Sequence, residues 1–171
     1  MRMNRVWLPA MLLSVAMTVA AHEPQKKAPA TPNVANPDDP VAAVLMRNAQ
    51  GFETGDLSML DTLWAHDDGV TVFESGYANY GWADYRDHHL KPEIDEMKNV
   101  KYQLSDIKTR VSGNTAWATF KYALSADLKE HHVDANGLGT AVLEKRGNEW
   151  KIVHWHISAP RGPAAPQPAP K

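Results

Sequence analysis

From Val100 to Ile157 apolar residues recur at every second position, and the run is broken by two Gly-Asn pairs, Gly113-Asn114 and Gly147-Asn148. A period of two sends successive side chains to opposite faces of a strand, and Gly-Asn reverses a chain within two residues. This half of the chain must therefore form antiparallel strands joined by tight turns. Val100 to Val111 reads as the first strand. Its apolar positions change parity, from Tyr102 and Leu104 to Ile107 and Val111, which predicts a bulge near Ser105-Asp106. Ala116, Ala118, Phe120, Tyr122 and Leu124 then alternate with Trp117, Thr119 and Lys121 along the second strand. Asp134 to Gly137 reads as a loop, Leu138 to Lys145 as a third strand and Trp150 to Ile157 as the last.

The preceding segment has a helical period. Asp38 and Asp39 are candidate N-caps, and Pro40 suits a first helical turn. Val41, Val44, Leu45, Asn48, Ala49 and Phe52 follow at helical spacing, Gly55 ends the helix, and Asp56 can cap a short second one carrying Leu57, Leu60, Leu63 and Trp64. Gly69 breaks that helix and Val70 to Glu74 reads as a strand. Ser75 to Gly81 reads as a loop, and Trp82 to Leu90 as a third helix that Glu93 to Met97 extends beyond Pro92. Helices followed by long hairpins are an α+β order. The expected architecture is N-terminal helices packed on a strongly curved antiparallel sheet, forming a cone with a pocket at its open end.

The ends differ in composition from this core. Arg2 and Arg5 precede a mostly apolar stretch from Val6 to Val19, and Val19-Ala20-Ala21 supplies small residues for cleavage, so residues 1–21 read as a secretory signal peptide. Its apolar stretch is short for a bilayer, so no stable membrane span is expected after cleavage. The expected location is periplasmic or secreted, and the absence of cysteine agrees with export. Residues 22–39 are a proline-rich linker and 159–171 a proline-rich tail, leaving 40–158 as the folded domain. The formal charge of −2 argues against a nucleic-acid partner. Without cysteine there is no disulfide framework and no thiolate chemistry.

Gly139-Thr140-Ala141-Val142-Leu143, then Gly147, Trp150 to His154, His156 and Ser158, resemble the C-terminal hairpin of the SnoaL-like branch of the nuclear transport factor 2-like superfamily. The association domain of calcium/calmodulin-dependent kinase II ends in a similar His-x-His-x-Ser pattern. Gly55-Asp56-Leu57 before a Leu-rich helix, a strand, and Gly81-Trp82 opening a helix follow the same family order. The resemblance implies a ketosteroid isomerase-like fold over roughly residues 40–158 and, as in many relatives, a homodimer. The family spans isomerases, cyclases, dehydratases and oligomerisation domains, so fold does not select a reaction. The isomerase branch uses an aspartate base with a tyrosine and a second acid that stabilise an oxyanion. Tyr77, Tyr80 and Tyr85 lie in a different segment pattern.

Candidate site residues follow from residue chemistry and parity. Trp150, Ile152, His154 and His156 share one face of the last strand, which points His154 and His156 along the inner face toward the pocket. The alternative is that both are satisfied polar groups of a curved sheet or of a dimer interface. Glu74 follows the apolar run Val70 to Phe73, where a charge needs a partner, and Arg86 is a candidate for it. His89 lies four residues after Tyr85 on one helical face. His154, His156, Glu74 and His89 are thus candidate acid–base groups. Tyr77, Tyr80, Trp82, Tyr85 and Arg86 are candidate ligand-binding residues, with ordinary helix-to-sheet packing as the alternative for Trp82. Glu74, His88, His89, His154 and His156 form a mixed nitrogen and oxygen set compatible with a divalent transition metal, and no other cofactor is implied. His66 suits a helix terminus, and His131-His132 a solvated strand end. A second apolar sheet face of Trp117, Val153, Trp155 and Ile157 would be covered by a second subunit. Three functions compete: a pocket that binds a small molecule, with isomerase, lyase or hydrolase-type acid–base activity; a metal-binding protein using the same residues; and a non-enzymatic dimerisation module.

Overall fold

The computed structural model describes residues 38–160. The signal peptide, nearly all of the linker and the tail from residue 161 lie outside the described residues.

Helix α1 spans Pro40–Thr54. It starts where expected because Asp39 accepts hydrogen bonds from the backbone N–H groups of Val41 (2.9 Å) and Ala42 (3.2 Å). It stops at Gly55, whose φ of 68° is left-handed. Asp56 then accepts from Met59 N–H at 2.9 Å and opens α2, Leu57–Leu63. The buried faces of both helices pack on the sheet through Val41, Leu45, Leu60 and Leu63.

Strands β1 (Thr71–Glu74) and β2 (Tyr77–Tyr80) form a hairpin where the sequence predicts a loop after Glu74. Ser75 and Gly76 both take positive φ, the requirement of a two-residue hairpin turn, and backbone pairing then makes a strand of Tyr77-Ala78-Asn79-Tyr80. The third helical stretch also departs from expectation. It comprises α3 (Trp82–Tyr85), a π-helical turn (Arg86–Leu90) and α4 (Lys91–Glu96). Lys91 N–H donates to the Arg86 carbonyl, five residues back, so one extra residue is accommodated immediately before Pro92.

The long strands are β3 (Lys98–Ser112), β4 (Thr115–Asp127), β5 (His132–Arg146) and β6 (Glu149–Ser158). The expected bulge near Ser105-Asp106 is present as a register shift between Ser105 and Lys108. The loop expected at 134–137 is instead strand, because β5 pairs with β4 as far as His132 opposite Asp127. Continuous backbone pairing there overrides the weak strand preference of Asp, Asn and Gly. The curved, unclosed sheet runs β2-β1-β6-β5-β4-β3. It is mixed rather than purely antiparallel, since β1 lies parallel to β6.

Candidate functional site

A cavity of about 310 Å³ lies between the helices and the inner face of the sheet. Its apolar wall includes Phe52, Leu60, Trp64, Leu90, Trp155 and Ile157. The volume falls at the lower end of the range that holds small ligands.

One polar cluster interrupts that wall. Val72 and Glu74 face inward on β1, so the Glu74 carboxylate ends the strand inside the cavity with its side chain 11% exposed. The helical stretch opposite supplies the rest. Tyr85 and His89 sit four residues apart with ring centroids 5.3 Å apart, and Glu93 follows after another four residues. The Tyr85 hydroxyl lies 3.4 Å from Glu74 Oε2, and His89 Nε2 lies 3.5 Å from the same oxygen. These separations exceed those of strong hydrogen bonds. The three groups form a loose polar cluster on the cavity wall, with the long contacts common in unliganded sites.

Burial sets the proton inventory. Removal from water pushes the Glu74 carboxyl up to about 8, the nearby Glu93 charge adds to the rise, and the Tyr85 hydroxyl opposes it. Burial also raises Glu93 and lowers His89. At neutral pH the proton rests on Glu74 and the imidazole is neutral. Tyr85 and Tyr102 are held well above the usual phenol range, first by burial and then by the Glu74 charge, so both remain O–H donors.

The other expected site residues are elsewhere. His154 and His156 do not line the cavity. Val142 pairs with His154 and Leu143 with Ile152, so Val153 is an extra residue that reverses the parity of β6. Ile152 and Trp155 are both buried inward, and His154 and His156 lie on the outer face beside Thr71 and Phe73. There His154 Nδ1 lies 2.7 Å from Thr71 Oγ1, and the Phe73 ring meets His154 edge-on at 5.3 Å. Burial lowers the His154 pKa, His156 adds to that, and Thr71 opposes it.

The same reversal corrects the outer apolar face, because Trp155 is in the core and Ile157 lines the cavity. Arg86 does not meet Glu74. It bonds Asp87 at 2.7 Å and Asp61 at 3.1 Å. Trp82 is a packing residue, stacked on Trp64 at 5.0 Å with its indole N–H on Asp61. Tyr80 is exposed against Phe73 on the outer side, whereas Tyr77 lines the cavity while remaining largely exposed. His88 points outward to Asp84 at 3.0 Å. The five-residue metal set is thus not assembled. Glu74, His89 and Glu93 instead offer ligand atoms within 4.8 Å of one another. His66 Nε2 does meet the Asp61 carbonyl of α2, at 2.8 Å.

The SnoaL-like domain pattern matches residues 41–162, most of the chain. The chain belongs to the SnoaL-like family. Comparison with curated proteins gives no match. Among solved structures, this SnoaL-like chain is similar to a nuclear transport factor 2-like superfamily protein from Salmonella enterica, at 18% identity over 75% of this chain and 94% of that one, with a TM-score of 0.67. A protein from Shewanella frigidimarina described as a candidate ketosteroid isomerase shares 21% identity over 71% of this chain and 96% of its own, with a TM-score of 0.63. The calcium/calmodulin-dependent kinase II hub of S. rosetta shares 24% identity over 74% and 98%, with a TM-score of 0.59. Likeness at these identities is a likeness of fold.

Within this SnoaL-like domain, sequence reasoning reaches Glu74, Tyr77, Tyr85 and His89 and misses Glu93, Tyr102 and Tyr122, which line the cavity, and Asn79, whose side-chain oxygen lies 2.9 Å from His89 Nδ1. Glu93 carries a readable signal, since Tyr85, His89 and Glu93 fall at four-residue steps. Tyr102 and Tyr122 stand at the inward parity of their strands but read as core. Asn79 carries no such signal, because its segment reads as a loop.

Proposed function

We propose that the cavity binds a small, largely apolar molecule bearing one carbonyl or hydroxyl group, and that Glu74 and His89 act on it as acid and base. The carrying observation is the buried Glu74 carboxyl 3.5 Å from His89 Nε2 in an apolar wall, where burial favours the protonated acid and the neutral imidazole. Glu74 donates its proton to the carbonyl oxygen as His89 Nε2 takes a proton from the adjacent carbon. The product is an enol; where a C=C bond is conjugated with it, His89 returns its proton to the far carbon of the conjugated system while the enol O–H gives its proton back to Glu74, which yields an isomer and restores both groups. Tyr85 donates to Glu74 and stabilises its ionised form as the proton leaves. General acid–base groups of this kind contribute about 10²–10⁴-fold to a rate.

The test uses a panel of small cyclic ketones in deuterated buffer. Binding is read from the fluorescence of Trp64 and Trp155, which line the cavity, and carbon-bound hydrogen exchange by NMR. Exchange should fall at least ~10²-fold in Glu74→Gln and in His89→Ala. A panel that neither shifts the fluorescence nor exchanges, or exchange unchanged in both variants, overturns the proposal.

The Glu74, His89 and Glu93 set favours a second reading, a divalent transition-metal site. Retention of a stoichiometric metal by protein purified without an affinity tag, lost in Glu93→Gln, would decide for metal over proton transfer. Metal-free protein that takes up no zinc at micromolar concentration would reject it. We further propose that two copies pair through the outer sheet face. Phe73, Trp117 and Leu138 are exposed there, each more than a third accessible.

A further inference from the structure

Behind His89 the structure holds a chain of polar groups whose donors and acceptors can be arranged in only one way. Asp84 Oδ2 lies 3.0 Å from Asn79 Nδ2 and 3.3 Å from the backbone N–H of Tyr80, and its Oδ1 lies 3.0 Å from His88 Nδ1. The Asp84 pKa is lowered by the Asn79 hydrogen bond first, then by His88 and the Tyr80 N–H, so the group is a carboxylate. An ionised carboxylate only accepts, so Asn79 must present its NH₂ to Asp84 and its carbonyl oxygen to the other side. That oxygen lies 2.9 Å from His89 Nδ1. A neutral imidazole facing an acceptor through Nδ1 must carry its proton there, leaving a lone pair on Nε2. Nε2 is the atom that faces Glu74.

We propose that Asp84 and Asn79 are positioning residues that lock His89 in its Nδ1–H tautomer, so that Nε2 is always the acceptor presented to the cavity. The proposal rests on the acid–base reading of Glu74 and His89 for its functional meaning, though the tautomer itself can be measured without a ligand. The fold supplies the lock from three places. Asn79 comes from β2, Asp84 from α3 and His89 from the π-helical turn. The mixed origin explains why local motif spacing does not expose it. The relay also runs from the surface inward, since the Asp84 side chain is 43% exposed while that of His89 is 24% exposed.

The test is the ¹⁵N–¹H correlation of the His89 ring in the full chain, at a pH where the ring is neutral. The wild type should show a protonated Nδ1 and an unprotonated Nε2. Asn79→Ala should lose this pattern and gain the Nε2–H form, and Asp84→Ala should give a mixture because the amide of Asn79 is then free to turn. The double variant Asn79→Asp with Asp84→Asn should restore the wild-type pattern, because the carboxylate, now on β2, accepts from both His89 Nδ1–H and the amide that replaces it on α3. A purely structural role for these residues would not be rescued in this way. A wild-type Nε2–H tautomer, or a pattern that survives in both alanine variants, overturns the proposal. Should Asn79→Ala fail to fold, Asp84→Ala and the double variant still decide it. In the alanine variants, an altered tautomer with ketone exchange intact would count against the catalytic reading alone, and an unaltered tautomer with exchange lost would count against the lock alone.

Discussion

Glu74 is the residue at which burial and chemistry conflict most directly. A carboxyl raised to about 8 in the folded chain, against 4.5 for the free side chain, holds its proton longer when folded than when unfolded. Between those values the folded state binds more protons, so its stability falls as pH rises. The favourable contribution is complete below about pH 4.5 and is lost by the time pH passes about 8. Glu74→Gln keeps the shape and removes the titration. Denaturant unfolding should show the variant flatter with pH over this window and more stable than wild type at pH 8, by roughly a few kcal/mol. Parallel pH curves for the two proteins would show that Glu74 is not held protonated. Strongly perturbed groups tend to mark functional sites, which supports the proposed acid–base role of Glu74. The sequence exposes Glu74, since an acid closing an apolar strand is visible as a pattern. It does not expose the companions of Glu74. Glu93 and Tyr102 reach it from elements whose approach depends on packing.

At the level of elements, the close fit of strand to strand decides how the inner face is filled. Phe120 on β4 pairs with Gly139 on β5, and the Phe120 ring occupies the space where a Gly139 side chain would stand. The ring then reaches Trp155 of β6 at 4.7 Å. Gly139→Ala should therefore displace Phe120 and destabilise the fold by about 1–3 kcal/mol, the usual range for overpacking a core. The check is the unfolding midpoint, with Phe120→Leu as the second-site change expected to recover part of the loss. An unchanged midpoint in Gly139→Ala would show that the ring moves freely. The caps of α1 and α2, the turns at Gly113 and Gly147 and the first bulge are all legible from sequence, because each depends on contacts within a few residues. The bulge at Val153 and the hairpin at Ser75-Gly76 are not. The first is a mismatch of one residue between two strands, and the second draws its strand from pairing with β1.

For the whole molecule, the outer face of the sheet is the surface that most needs explanation. Trp117 pairs with Val142, and Val142 with His154, so these three side chains form one row across β4, β5 and β6; Thr119, Thr140 and His156 form the next row. Phe73 borders both histidines at 5.3 and 6.5 Å. Light scattering on the purified chain should give twice the monomer mass, and Trp117→Glu with Val142→Glu should give a monomer that keeps the cavity. A monomeric wild type overturns the pairing. This face also shows the divide between sequence and fold. The sequence by itself determines the α+β order, the cap and turn positions and a resemblance confirmed by family membership, because periodicity and capping act locally. Only the tertiary structure decides that His154 and His156 face outward, that Arg86 serves Asp61 and Asp87, and that Glu74 meets His89, Glu93 and Tyr85. Those outcomes turn on register and on the approach of distant elements. A single inserted residue in β6 moves every later side chain to the opposite face, and no pattern within one strand records what its neighbour will pair with.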